Sequence, residues 1–193
     1  MDTDRGGVHY VCMSMMTRLI ALTCALALPA AAQAALPVGA KAPQIVTKGA
    51  KAGKDMTFNL RNALRRGPVV LYFYPKAFTQ GCTLEAHAFA EATDDFAKYG
   101  ASVVGMSADD LPTLRKFSSE ECRDKFAVAT ATPATIKAYD VALSRAGMPA
   151  GMTDRTSYVI APSGKITFVH SELDYRDHVK LTLAAVKAIQ AKK

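Results

Sequence analysis

From Pro68 to Tyr74 the chain reads Pro-Val-Val-Leu-Tyr-Phe-Tyr, a continuous β-branched and aromatic run. Such a run predicts a strand covered on both faces, central in a mostly parallel sheet. The period then changes. Leu84, Ala88, Phe89, Ala92, Phe96 and Tyr99 recur at helical spacing and Gly100 ends the pattern, so a helix is expected over 84–99. Ala101 to Ser107 returns to strand character. Asp109-Asp110 then offers a cap for a second helix, Leu111 to Glu121, with Pro112 in its first turn.

Upstream, Pro and Gly punctuate two short extended segments, Gln44 to Thr47 and Met56 to Asn59, which predict an N-terminal β-hairpin. Downstream, Phe126 to Thr130 reads as a strand and Pro133 to Tyr139 as a short helix. Thr156 to Ile160 and Ile166 to His170 form a hairpin through Pro162-Ser163-Gly164-Lys165. Tyr175 to Ala191 closes the chain as an amphipathic helix, with Val179, Leu183, Val186 and Ile189 on its apolar face. The alternation of strands and helices places the fold in the α/β class, a central mostly parallel or mixed sheet flanked by helices. Neither an internal repeat nor a long structureless loop argues for a second domain.

Length agrees: 193 residues, half of them apolar, suit one globular domain plus an appendage. The appendage is N-terminal. Arg18 precedes the apolar segment Leu19 to Leu28, followed by Pro29 and the small-residue run ending Ala32-Gln33-Ala34. A core of about ten apolar residues is too short to span a bilayer and suits a secretory signal. Residues 1–34 are therefore expected to be an N-terminal extension and cleavable signal peptide, cut near Ala34, and 35–193 the functional domain. Met13, Met15 and Met16 are alternative starts. A periplasmic protein with no membrane attachment after cleavage follows as the expectation.

Cleavage would remove Arg5, Arg18, Asp2 and Asp4, leaving 24 − 2 = 22 basic and 17 − 2 = 15 acidic residues and the same charge of +7. The basic residues are scattered, which reads as a solvated surface and not as a nucleic-acid footprint. Cys12 and Cys24 would leave with the signal, so the exported chain keeps Cys82 and Cys122, one possible pair in a compartment where disulfides persist. His9, His87, His170 and His178 have no ligand spacing with each other or with the cysteines, and nucleotide-binding glycine loops are absent. No metal and no cofactor are expected.

Chemistry concentrates at Cys82. A buried strand delivers the loop Pro75-Lys76-Ala77-Phe78-Thr79-Gln80-Gly81, and Cys82 sits where a helix begins, near unpaired N–H groups and the positive end of the helix dipole. That setting favours thiolate over thiol. Thr79 supplies a hydroxyl three residues back, either to orient an incoming O–H or to cap the helix, and Pro75 brings no competing N–H.

The pattern Pro75-x-x-x-Thr79-x-x-Cys82 resembles the active-site motif of the peroxiredoxins. Phe73-Tyr74-Pro75-Lys76 and Gly81-Cys82-Thr83 are similar to the bacterioferritin-comigratory-protein (PrxQ-like) subfamily. The likeness runs from about Pro37 to the last helix and includes Arg155-Thr156-Ser157-Tyr158-Val159-Ile160, where the family carries an active-site arginine. It implies a thioredoxin-like fold and a thiol-dependent peroxidase. It also implies the roles: Cys82 as the peroxidatic thiolate, Thr79 as a peroxide-orienting hydroxyl, Pro75 as a shield, and Arg155 as the charge that stabilises both. Attack on a peroxide would leave a sulfenic acid at Cys82.

The subfamily's commonest pattern has a resolving cysteine five residues after the first, where this chain has His87, read as an exposed helix residue. Some members carry the resolver in the following helix region, and Cys122 in Ser119-Glu120-Glu121-Cys122-Arg123 is the expected resolver here, reached by unfolding of a helix end. The expected partners are hydrogen peroxide or an organic hydroperoxide and a thioredoxin-like or other thiol reductant, and a monomer is expected. Two alternatives remain: a one-cysteine peroxidase resolved by an external thiol, and a non-enzymatic thioredoxin-fold binding or holdase module.

Overall fold

The computed structural model describes Met1 and residues 35–144 and 147–191. The expected leader, 2–34, lies outside the described residues. Among the described residues seven strands and five α-helices follow in order. A hairpin of β1 (Val46–Lys51) and β2 (Lys54–Asn59) leads into the short α1 (Leu60–Leu64), which the apolar periodicity had not signalled. Asn59 caps it by accepting from the Asn62 N–H. Then come β3 (Val69–Phe73), α2 (Gln80–Lys98), β4 (Ser102–Ser107), α3 (Leu111–Glu120), β5 (Ala127–Thr130) and α4 (Pro133–Tyr139). The chain closes with β6 (Thr156–Ile160), β7 (Ile166–Ser171), a 3-10 turn at Tyr175–Asp177 and α5 (His178–Gln190).

The strands form one sheet in the order β2-β1-β5-β4-β3-β6-β7. Only β3, β4 and β5 pair in parallel; the other pairings are antiparallel. The sheet is therefore mixed, with parallel pairing confined to the three strands joined by the crossover helices α2 and α3. The Pro68 to Tyr74 run becomes the fully buried β3, held between β4 and β6.

Alternation along β3 divides the interior into two cores, one on each face. Val69, Leu71 and Phe73 point to the face covered by Leu60 and Leu64 of α1 and by Ile136 and Tyr139 of α4. Val70, Tyr72 and Tyr74 point to the other, covered by Phe89 and Phe96 of α2, Phe117 of α3 and Val186 of α5. Tyr72 stacks on Phe89 with centroids 4.4 Å apart, a pair worth about 1 kcal/mol beyond its area. The same ring crosses β4 at Gly105, where a Cβ would come within 2.8 Å of the Tyr72 ring and hydroxyl. Both cysteines of the domain belong to this second core.

Two helix faces differ from the expected ones by about one position. In α2 the buried residues are Cys82, Glu85, Ala86, Phe89, Ala90 and Phe96, while Leu84 is 40% exposed. In α5 they are His178, Thr182 and Val186, with Val179, Leu183 and Ile189 packed alongside. In each case a polar residue takes a core position because a polar partner waits there.

Candidate functional site

Helix α2 begins at Gln80, four residues earlier than its apolar period, so Cys82 is the third helical residue. The loop ahead of it is pinned from two sides. Asp109 accepts from the Ala77 N–H at 2.8 Å, and buried Thr153 donates to the Tyr74 carbonyl at 2.6 Å. Between these anchors Phe78 takes a left-handed conformation, φ 62°. A non-glycine residue held there costs on the order of 1 kcal/mol, which the anchors offset. Pro75 is half-buried at the start of this loop.

Thr79 occupies the N-cap position of α2 with extended backbone, yet its side chain makes no capping bond. Its hydroxyl donates instead to the Lys76 carbonyl at 2.9 Å. The proton is thereby committed to the loop and the oxygen lone pairs stay free to accept. No hydrogen bond joins Thr79 to the sulfur among the described residues; Thr79 and Pro75 lie in the loop that leads to Cys82.

Arg155 does meet the sulfur. From the residue before β6 its Nη2 lies 3.4 Å from Cys82 Sγ, and Nε donates to the Leu173 carbonyl at 2.8 Å. Nη1 donates to Glu85 Oε2, three residues beyond Cys82 on the same helix. Gly81 permits this approach, because a Cβ there would sit 3.3 Å from Nη2. Cys82 is 2% exposed and Arg155 5%, so a permanent cation faces a sulfur from which water is largely excluded. The guanidinium cannot surrender its proton at working pH, so the positive charge beside the sulfur is permanent.

Glu85 is fully buried, and burial pushes its carboxyl up to about 8 against the opposing pull of Arg155. Its second oxygen, Oε1, has no hydrogen-bond partner. That oxygen faces Nδ1 of buried His178 at 3.7 Å. His178 is pinned by Ser157 Oγ at Nδ1, 2.8 Å, and by the Glu172 carbonyl at Nε2, 2.9 Å. Burial lowers it to about 4, so it is neutral. Glu85, His178 and Ser157 escape a reading of the sequence by motif. The available signal was a carboxylate on the helix face that also carries Cys82, Ala86 and Phe89.

The two buried groups make opposing demands on stability as pH changes. Glu85 is raised in the fold, so it stabilises most below its unfolded value near 4.5 and that contribution is lost as pH rises towards 8. His178 is lowered, so its contribution is present above 6.5 and lost as pH falls towards 4. From about pH 4.5 to 6.5 they offset each other; from 6.5 to 8 only Glu85 changes. Chemical denaturation across pH 6.5–8 is expected to show stability falling by about 1.4 kcal/mol per pH unit, a slope that Glu85→Gln removes.

Cys122 sits just beyond α3, wholly buried, in a tight turn whose Arg123 and Asp124 are both left-handed (φ 50° and 59°). Both cysteines are free thiols. They share one core, and each sulfur is an electrostatic neighbour of the Tyr72 and Tyr74 hydroxyls. Burial holds the Cys122 thiol far above its ordinary range, so it is an inert thiol while the turn is closed. His87 is half-buried, not exposed as expected, because Nε2 meets Glu121 Oε2 at 2.7 Å beside Cys122. A cavity of about 540 Å³ near Thr132, Ile136 and Asp140 is lined by neither Cys82 nor Arg155.

Comparison with known proteins gives this geometry its place. Residues 38–169 match the AhpC/TSA family. The chain is a peroxiredoxin of that family. It is 27% identical over 160 residues to peroxiredoxin Bcp of Bacillus subtilis, covering 81% of this chain and 99% of that one. With peroxiredoxin Bcp of Xanthomonas campestris it shares 29% over 122 residues, 62% of this chain and 76% of that one. Among solved structures it resembles peroxidoxin BcpB of Mycobacterium tuberculosis (TM-score 0.71, 30% identity, 80% of this chain and 98% of that one). It also resembles peroxiredoxin Q of Xanthomonas campestris (TM-score 0.63, 27% identity, 73% and 89%). The peroxiredoxin fold here is thioredoxin-like, and as a thiol-dependent peroxidase the enzyme takes a peroxide as substrate and a thiol as reductant. The non-enzymatic holdase reading is thereby set aside.

Proposed function

We propose that this peroxiredoxin reduces hydrogen peroxide and small organic hydroperoxides at Cys82, and that Cys122 resolves the oxidised sulfur as an intramolecular disulfide. The observation that carries the first half is the 3.4 Å contact from Arg155 Nη2 to Cys82 Sγ in a nearly water-free site. The thiolate attacks the terminal peroxide oxygen; an S–O bond forms as the O–O bond breaks. The sulfur is oxidised by two electrons, and the departing alkoxide or hydroxide takes up a proton. Arg155 stabilises charge on both partners, while the free lone pairs of Thr79 can accept from the peroxide O–H. Alkyl peroxide reduction is the activity of the bacterioferritin comigratory protein of Xanthomonas campestris, a structural relative 27% identical to this chain, which supports the wider substrate class.

For the second half, Cys122 must leave the core, because only exposure returns its thiol to a range where a thiolate forms. That thiolate then attacks the Cys82 sulfenic acid; the S–S bond forms, the S–O bond breaks, and the oxygen leaves as hydroxide, which becomes water by taking up a proton equivalent to the one Cys122 released. The turn that has to open is fastened to α2 by the His87–Glu121 hydrogen bond and by two ion pairs, Glu91–Arg123 and Asp94–Lys125, and is strained at Arg123 and Asp124. Exposed pairs contribute only about 0.3–1 kcal/mol each, small for the whole fold yet comparable with the cost of opening one turn. Glu91→Gln combined with Asp94→Asn is expected to speed disulfide formation about threefold to tenfold, read by stopped-flow quench and non-reducing peptide mapping. Absence of any Cys82–Cys122 peptide after one equivalent of peroxide removes Cys122 from the mechanism and leaves a one-cysteine enzyme served by an external thiol.

Export through the segment ending at Ala34 is part of the same proposal, supported by the arginine, apolar core and small-residue run of the sequence. A monomeric periplasmic enzyme would then draw on a secreted thioredoxin-like reductant, since cytoplasmic thiols cannot reach it. N-terminal mass spectrometry of the exported protein tests this: a mature chain starting near Ala35 supports it, and an uncleaved cytoplasmic chain overturns it.

A further inference from the structure

The arginine that touches Cys82 is also claimed by Glu85, and what lies behind Glu85 has no place in the reaction as written. Glu85 Oε1 is buried and without a donor, 3.7 Å from His178 Nδ1. The neighbours of His178 fix its tautomer. The Glu172 carbonyl can only accept, so Nε2 carries the hydrogen, and Nδ1 presents a lone pair that takes the Ser157 hydroxyl proton. A carboxylate oxygen thus faces, without a donor, a nitrogen whose lone pair is already engaged, and a proton on that oxygen removes the buried charge.

We propose that His178 is a positioning residue for Cys82: it offers Glu85 Oε1 no donor, so that Oε1 carries an exchangeable proton whose presence or absence decides how much of the Arg155 charge reaches the sulfur. With the proton in place the Glu85–His178 pair is neutral and Arg155 presents its full charge to Cys82. Once the proton leaves, Glu85 is a carboxylate and its negative charge cancels most of what the sulfur experiences. Burial supports the proton-bearing form near neutrality, since it drives Glu85 up to about 8. The remaining groups facing His178 are few. They are Ser157 and Arg155 from the β6 side, His170 of β7 with its ring 4.5 Å away, and Asp174 before the 3-10 turn, while α2 contributes only Glu85. His170 and Arg155 disfavour a charged His178, so the proton belongs to the carboxyl.

This rests on Cys82 as the reacting thiol, so the test carries a readout that needs no turnover. The rate of Cys82 alkylation by iodoacetamide and the rate of peroxide consumption are both followed from pH 5 to 9.5 in a Cys122→Ser background. The parent is expected to lose about tenfold in peroxide rate as pH rises through roughly 8, the equivalent of one unit of charge interaction. Glu85→Gln keeps an amide on Arg155 and cannot ionise, so its alkaline limb is flat. Ser157→Ala frees the Nδ1 lone pair for Glu85 and moves the break to higher pH. His178→Gln gives Oε1 a permanent donor, fixes the carboxylate, and moves the acid limb of the alkylation profile up by about one pH unit. The double variant with Glu85→Gln restores that limb. Opposite shifts from Ser157→Ala and His178→Gln are not a consequence of looser packing. A parent profile without the alkaline break, or a break that survives in Glu85→Gln, overturns the inference and leaves Cys82 intact. Peroxide consumption that persists in Cys82→Ser overturns the reading of the site, while the alkylation profiles still decide the proton's role.

Discussion

Cys82→Ser is expected to abolish peroxide consumption, lowering the second-order rate at least about a thousandfold, with the fold unchanged by circular dichroism. The physical reason is nucleophilicity. A serine hydroxyl at neutral pH is un-ionised even beside a guanidinium, so nothing in the site can attack the O–O bond. Stability should change little, because serine fits the space of a residue that is 2% exposed and its hydroxyl can accept from Arg155 as the sulfur does. Residual activity close to the parent rate in that variant would move the chemistry away from Cys82 altogether, since the other thiol, Cys122, is inert in its buried turn.

Arg155→Met is the second large effect, and it separates chemistry from architecture. Removing the cation that faces Cys82 is expected to lower the rate about 100-fold to 1,000-fold, the range for losing one preorganised charge donor. It also leaves Glu85 buried without its partner, which costs about 3–5 kcal/mol if the carboxyl stays ionised. Glu85 avoids much of that cost by staying protonated, so the destabilisation should grow as pH rises and shrink below neutrality. Arg155→Met with Glu85→Gln should recover stability and not rate. Stopped-flow kinetics and urea denaturation on both variants distinguish these; recovery of rate in the double variant would show that Arg155 matters to packing alone.

Much of this was legible in the chain because the strongest patterns are short-range. The β3 run, the Gly100 stop and the Pro133 start are local facts, and the structure places the elements there within a few residues. The first turn of α2 was hidden since Gln80-Gly81-Cys82-Thr83 carries no apolar repeat; its helicity comes from the loop anchored at Ala77 and Tyr74. Cys82 and Arg155 were found through their motifs, yet their contact is set by β6 pairing with β3, which no local signal encodes.

Glu85 and His178 were missed for a shared reason. A period-based reading assigns charged residues to the solvent face, and here Leu84 is exposed while Glu85 is buried, because Arg155 offers the carboxyl a partner 70 positions away. Likewise His178 and Thr182 displace Val179 and Leu183 from the centre of α5, drawn in by Ser157 and by backbone carbonyls. The fate of His87 follows the same logic. Its ring sits against Glu121 at the turn bearing Cys122, so the position that holds a resolving cysteine in the subfamily's common pattern here helps fasten the other thiol in place.

The claim on which the whole reading turns is that Cys82 is oxidised first and Cys122 second. The direct measurement is mass spectrometry of reduced protein given one equivalent of hydrogen peroxide with dimedone present, in the parent and in Cys122→Ser. The expected result is a dimedone adduct confined to the Cys82 peptide in Cys122→Ser, replaced in the parent by a Cys82–Cys122 disulfide. An adduct on Cys122, or no adduct on Cys82 in either protein, would contradict it.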